Sequence, residues 1–209
     1  MADTGDRLRR VGVLPVLVVR EVAHAEPLAR ALVAGGVTAA EITLRAPAAL
    51  AAITRMREAA PELWVGAGTV LSAADVDAAA SAGAQFLISP GSTPALARAF
   101  SASGLPCLPG VATASEAMAR AEEGFSLMKF FPAERSGGPA ALRDLHGPLP
   151  KLRFCPTGGI TPEKVDAYLA CPNVVCVGGS WIAPEALMQA GDWAAVEANA
   201  RRAAGYARP

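Results

Sequence analysis

The 209-residue chain is 52% hydrophobic and 18% charged, enough apolar mass for a buried core and the wrong balance for a disordered segment. Nineteen basic and nineteen acidic residues give zero formal net charge, so there is no electrostatic footprint for nucleic acid or an anionic membrane. No apolar run reaches the roughly 20 residues of a membrane helix, and the first twelve residues are charged and lack the apolar stretch of a secretory leader; a cytoplasmic location is expected.

A short helix at 4–10 precedes the first strand, at 13–19. From there, apolar β-branched runs alternate with alanine-rich amphipathic stretches. Further strands are predicted at 40–45, 64–69, 86–89, 106–109, 127–131, 153–157 and 174–177. Helices are predicted at 25–34, 48–59, 73–82, 94–102, 114–123, 139–145, 162–170 and 193–206. Ser72, Thr93, Thr113 and Thr161 stand where an N-cap oxygen accepts the first free helical N–H groups, and Pro94 and Pro162 suit the first helical position. Gly35, Gly83, Gly104 and Gly124 are placed to end helices in the left-handed conformation.

Strand–helix alternation requires parallel crossovers, and eight units in so short a chain imply a (β/α)8 TIM barrel forming one domain over residues 1–209. An open doubly wound sheet is the competing arrangement. Against it, no early strand is followed by a G-x-G-x-x-G turn, and the glycine-rich turns come late. Cys107, Cys155, Cys171 and Cys176 form no CxxC pair, and His24 and His146 are the only histidines. The cysteines therefore read as packed thiols, and no metal site is expected.

Active sites of such barrels lie at the C-terminal ends of the strands. The second strand reads Glu41-Ile42-Thr43-Leu44-Arg45, and alternation puts Glu41, Thr43 and Arg45 on one face. With Ile42 and Leu44 toward the helices, Glu41 and Arg45 point inward, as a structural ion pair or as site residues. The cost of burying two charges favours a functional role. Only three of the basic residues are lysines (Lys129, Lys151 and Lys164), so a lysine inside an apolar strand stands out. Lys129 shares a face of the sixth strand with Leu127 and Phe131. Desolvation there disfavours the ammonium relative to the free amine, which is the nucleophilic form. The alternative is a lysine whose stem snorkels to the rim and pairs with a carboxylate.

Two late turns suit an anion. Thr157-Gly158-Gly159 follows strand seven and Gly178-Gly179-Ser180 follows strand eight, where barrels often bind phosphate through backbone N–H groups. Either one alone would read as a tight turn. Strand three ends Val65-Gly66-Ala67-Gly68-Thr69; its small residues leave room for a substrate or satisfy packing at the neck, and Thr69 sets a hydroxyl at the mouth. Ser89-Pro90-Gly91 and Leu108-Pro109-Gly110 turn sharply and read as pocket walls.

Seven segments spread over nearly the whole chain carry a resemblance: ALVAGGV at 31–37, EITLR at 41–45, VGAGTVL at 65–71, AGAQFLISPG at 82–91, KFFPAE at 129–134, RFCPTGGI at 153–160 and VGGSW at 177–181. Together they resemble the 2-keto-3-deoxy-6-phosphogluconate aldolase family, the class I pyruvate aldolases of the Entner–Doudoroff route. The resemblance implies cleavage of a phosphorylated keto-deoxy sugar acid to pyruvate and D-glyceraldehyde 3-phosphate, without metal or cofactor, in a homotrimer. It makes Lys129 the Schiff-base lysine and Glu41 the general acid/base. By the same resemblance, Arg45 and Thr69 hold the pyruvyl carboxylate, and Pro90 and Phe131 line the pyruvyl pocket. Gly158, Gly159, Gly179 and Ser180 bind the phosphate, with Thr157 near the sugar hydroxyls. The alternatives are a preference within the family for the phosphogalactonate epimer or 4-hydroxy-2-oxoglutarate, and a non-catalytic phosphosugar-binding barrel.

Overall fold

The computed structural model describes residues 4–208. The expected domain spans 1–209, so its first three residues and its last lie outside the described residues. In chain order the elements are α1 (Thr4–Val11), β1 (Val13–Leu17), α2 (Ala25–Ala34), β2 (Ala39–Thr43), α3 (Ala49–Ala59), β3 (Trp64–Gly68), α4 (Ala73–Ser81), β4 (Leu87–Ile88), α5 (Pro94–Ala102), β5 (Cys107–Leu108), β6 (Gly110–Val111), α6 (Ala114–Glu122), β7 (Leu127–Phe130), α7 (Gly138–His146), β8 (Arg153–Pro156), α8 (Val165–Leu169), β9 (Val177–Gly179), α9 (Glu185–Ala190) and α10 (Trp193–Ala204). Single 3-10 turns at Val22–His24 and Pro162–Lys164 lead into α2 and α8.

Every strand ladder is parallel, as helical crossovers require. The ladders form a six-stranded sheet, β5-β4-β3-β2-β1-β9, and a three-stranded sheet, β6-β7-β8. Isolated parallel bridges, Phe154 to Val174 and Thr157 to Gly178, run between the β8 and β9 segments. The fifth strand, expected at 106–109, is β5 at Cys107–Leu108 and resumes beyond Pro109 as β6 at Gly110–Val111, and the cause is local. The Gly110 N–H turns aside to Ser89 Oγ at 3.1 Å, while Pro109 O accepts from Lys129 N at 3.0 Å. The strand therefore leaves β4 at its first half and joins β7 at its second. Gly110 permits this because a Cβ there would lie 2.2 Å from the carbonyl carbon of Pro90.

Two apolar cores flank the strands. The larger lies between strands and helices, with Leu17, Ile42, Val65 and Phe130 meeting Leu28, Ile53, Phe100 and Tyr168. The smaller gathers Leu8 and Val11 of α1 with Leu14, Trp64, Phe86, Ile88, Leu108, Cys155 and Cys176. Its members at the strand starts place α1 across the N-terminal ends of the strands. There the Arg7 guanidinium lies 4.3 Å above the Trp64 ring. Gly66 makes room for Phe86, whose ring would be 2.3 Å from an added Cβ. The chain end ties down the same side: Arg208 donates to the carbonyls of Leu169, Val174 and Val175.

Helix starts follow local chemistry. Ser72 with Asp75 and Thr113 with Glu116 form capping boxes, and Thr93 Oγ1 accepts from Leu96 N ahead of Pro94. Thr161 makes no such bond, because its chain enters a 3-10 turn before α8 rather than one continuous helix. Gly83, Gly104 and Gly124 take positive φ as expected; after α2 it is Gly36 that does so, while Gly35 stays helical.

Candidate active site

The C-terminal ends of the strands bring together a lysine and a carboxylate. β7 presents Lys129 and β2 presents Glu41, and Lys129 Nζ donates to Glu41 Oε1 at 3.0 Å. The two residues are 5% and 1% exposed, so the pair is held out of water. Glycine explains how Glu41 reaches its partner. A Cβ on Gly68 of β3 would lie 1.9 Å from Glu41 Oε1, so the carboxylate occupies space that any other residue would fill. Glu41 Oε2 is buried and has no hydrogen-bond partner among the described residues. On the lysine side, Nζ lies 5.6 Å from the Phe131 ring centroid. A buried ion pair with one unsatisfied oxygen is a poor device for stability, which points to chemistry.

Arg45 departs from the sequence expectation. β2 ends at Thr43, so alternation does not carry through to residue 45. Arg45 sits exposed in the turn beyond the strand, and its Nε donates to Thr43 Oγ1 at 3.3 Å. Thr43, itself buried, donates to Leu17 O of β1 at 2.9 Å. The inward Glu41–Arg45 pair is thus replaced by Glu41–Lys129, with Arg45 steered by Thr43 toward the rim. Sequence reading placed Thr43 on the right face but gave it no task.

Thr69 follows β3 with φ of 58°, the only positive-φ residue other than glycine among the described residues. The left-handed region is costly for a β-branched side chain, and such strain concentrates at functional sites. Pro90 follows β4 and packs its backbone against Gly110.

A cavity of about 310 Å³ is lined by Arg45, Phe131, Thr157, Gly158, Gly159 and Ser180. Lys129, Glu41, Thr69 and Pro90 do not line it, and Phe131, whose ring centroid is 5.6 Å from Lys129 Nζ, links it to the pair. Gly158 and Gly159 have φ of 106° and 77°, backbone that residues with a Cβ rarely adopt. Thr157 is buried with its hydroxyl unpartnered among the described residues, and it fits because a Cβ on Gly178 would lie 2.3 Å from Thr157 Oγ1. Gly178, expected from sequence in an anion-binding turn, lines the cavity from within β9, and Val16 and Trp181, which sequence gives no role, line it too. Gly179 stays in β9, paired with Pro15, and does not line it. Among the described residues, no group of three or more His, Cys, Asp or Glu is placed to hold a metal ion, and no helix is long and apolar enough to cross a membrane. The arrangement offers an amine for nucleophilic attack, a carboxylate to move protons, and a glycine turn open to an anion.

Comparison with known proteins agrees with this chemistry. A family profile described as KDPG and KHG aldolase matches residues 4–199. The 2-dehydro-3-deoxy-phosphogluconate aldolase of Pseudomonas aeruginosa is 50% identical over 195 residues, covering 93% of this chain and 89% of that protein. The KDPG aldolase of Legionella pneumophila, solved with pyruvate captured at low pH as a covalent carbinolamine intermediate, superposes with a TM-score of 0.92 at 40% identity, covering 96% of this chain and 98% of the other. The 2-keto-3-deoxy-6-phosphogluconate aldolase of Zymomonas mobilis, solved with 3-phosphoglycerate, gives 0.91 at 45% identity over 98% and 97% of the two chains. With a profile spanning nearly its whole length and relatives this similar, the chain belongs to the KDPG and KHG aldolase family.

Proposed function

We propose that this protein is a class I aldolase that cleaves 2-keto-3-deoxy-6-phosphogluconate to pyruvate and D-glyceraldehyde 3-phosphate, with Lys129 as its nucleophile. The observation that carries this reading is the buried Lys129–Glu41 contact at 3.0 Å. The six- and three-stranded sheets are read as the two parts of one (β/α)8 barrel and one domain, joined through Pro109 and the two isolated bridges.

In this mechanism Glu41 takes a proton from Lys129, and the free amine attacks the C2 ketone to give a carbinolamine. Glu41 returns its proton to the carbinolamine hydroxyl, and loss of water leaves a protonated imine and a free carboxylate. Glu41, acting through Oε2 and a water, removes the C4 hydroxyl proton; the C3–C4 bond breaks and its electron pair moves toward the iminium nitrogen, leaving an enamine. The aldehyde departs, C3 is protonated, and hydrolysis frees pyruvate and Lys129. Arg45 and Thr69 hold the pyruvyl carboxylate, a guanidinium being matched to it by paired N–H donors. Pro90 and Phe131 wall the pyruvyl group. Gly158, Gly159, Gly179 and Ser180 hold the phosphate, Gly179 by shaping β9 beneath Ser180, and Thr157 meets the sugar hydroxyls. The assembly is read as a homotrimer from the family resemblance, and the location as cytoplasmic from the composition of the sequence.

The test is pyruvate release from purified protein given the phosphogluconate-derived substrate, its galactonate epimer, or 4-hydroxy-2-oxoglutarate. The reading expects the highest kcat/KM for the first. Greater efficiency with 4-hydroxy-2-oxoglutarate, which the family description also covers, would replace it with the unphosphorylated substrate.

A further inference from the structure

Glu134 is part-buried, lies outside the Lys129–Glu41 pair, and has no task in the mechanism above. Its backbone runs along the Thr157–Gly159 turn: Ala133 N donates to Thr157 O at 2.8 Å and Glu134 N to Gly158 O at 3.2 Å. Its stem lies flat against Gly159, where an added Cβ would be 2.8 Å from Glu134 Cγ. Beyond the stem both carboxylate oxygens are held. The Tyr168 hydroxyl, from the buried face of α8, donates to Oε1 at 2.5 Å, and Lys164 Nζ, from the 3-10 turn, donates to Oε2. One side chain thus ties the glycine turn, through two donors four residues apart, to the segment that begins α8.

We propose that Glu134 is a positioning residue that fixes the Gly158–Gly159 turn in its anion-receiving shape, and so sets affinity for the substrate phosphate without taking part in carbon–carbon cleavage. The inference rests on the phosphate role given to that turn under the proposed function. Two successive glycines with positive φ are the freest backbone a chain can have, and a free turn loses entropy when it closes on an anion. A packed floor removes that loss in advance. The charges are arranged to suit. A bare carboxylate below the turn would repel a phosphate, and Lys164 offsets it. The hydrogen bonds from Lys164 and then Tyr168 hold the Glu134 carboxyl below its ordinary range, while burial and the bond to Glu134 push the Tyr168 phenol up. At neutral pH Tyr168 is therefore the donor and Glu134 the acceptor.

The experiment compares Tyr168→Phe and Glu134→Ala with the wild type on 2-keto-3-deoxy-6-phosphogluconate and on its unphosphorylated counterpart, 2-keto-3-deoxygluconate. The Tyr168 variant deletes one hydroxyl from a packed ring and keeps the core filled. The inference expects KM for the phosphorylated substrate to rise about tenfold in Tyr168→Phe and further in Glu134→Ala, as for lost hydrogen bonds to a charged group. It expects kcat, and kcat/KM for the unphosphorylated substrate, to stay within about twofold. Equal losses on both substrates, or no change on either, would overturn it. A wild type indifferent to the phosphate would instead remove the phosphate reading of the turn, and this inference with it; that failure is visible before any variant is measured.

Discussion

The two ends of the strands are built from the same segments and spend their residues differently. At the N-terminal end, Leu8, Val11, Leu14, Trp64 and Phe86 close an apolar plug under α1, with the Arg7 guanidinium over the Trp64 ring and Arg208 reaching the carbonyls of Val174 and Val175. At the C-terminal end the same strands carry a buried ion pair, a strained threonine and two glycines at positive φ. Glu41 shows the contrast within a single strand: β2 begins with Ala39 in the plug and two residues later buries a carboxylate. Unfavourable features gather where a substrate would enter, and the opposite end supplies the packing that holds them.

Substitutions at each end should therefore separate activity from stability. The largest effect is expected for Lys129→Met, which should lower cleavage by on the order of 10⁴-fold or more, as for loss of a covalent nucleophile, with the near-ultraviolet circular dichroism spectrum retained. Pyruvate release near the wild-type rate would remove Lys129 from the chemistry. Glu41→Gln keeps the shape and loses the base; single-turnover cleavage should slow by roughly 10²–10⁴-fold, the range for general acid–base groups. At the closed end the sign of the comparison reverses. Phe86→Ala empties the space against Gly66 and Trp64 and should cost about 3–5 kcal/mol in urea unfolding, while kcat of the folded fraction changes little. If kcat falls as far as stability does, the two ends are not separable.

Smaller effects sharpen the picture at the rim and at the chain end. Arg45→Ala should raise the dissociation constant for pyruvate roughly tenfold to a hundredfold, as for a lost charged hydrogen-bonding partner; Thr43→Val, which frees Arg45 and removes the bond to Leu17 O, should do less. Equal effects from both would make Thr43 a direct contact. Arg208→Ala should cost about 1–2 kcal/mol through lost bonds to three carbonyls, read as a lower urea midpoint at unchanged kcat/KM.

What could be read from sequence was what is decided locally. Ser72 and Asp75, or Thr113 and Glu116, are three residues apart and need nothing else to start a helix. The glycine turn at 158–159 and the buried Lys129 announce themselves by residue type within a strand pattern, whereas Gly178 and Gly179, expected in a second turn, belong to β9. Arg45 was misplaced because alternation holds only while the strand lasts, and β2 stops two residues earlier. The partner of Glu41 is 88 residues away and lies on a strand of the other sheet, a pairing that no local period contains. The six-residue helix α9 passed unnoticed, being too short to establish a 3.6-residue period. Glu134 was quoted within KFFPAE, yet its role depends on Tyr168 and Lys164, which only the fold brings to it.

The central claim is that Lys129 forms an imine with a 2-keto acid, and borohydride reduction in the presence of pyruvate tests it most directly. The account predicts a single reduced pyruvyl adduct that peptide mass mapping places on Lys129 and that vanishes in Lys129→Met. No adduct, or one on Lys151 or Lys164, would contradict it.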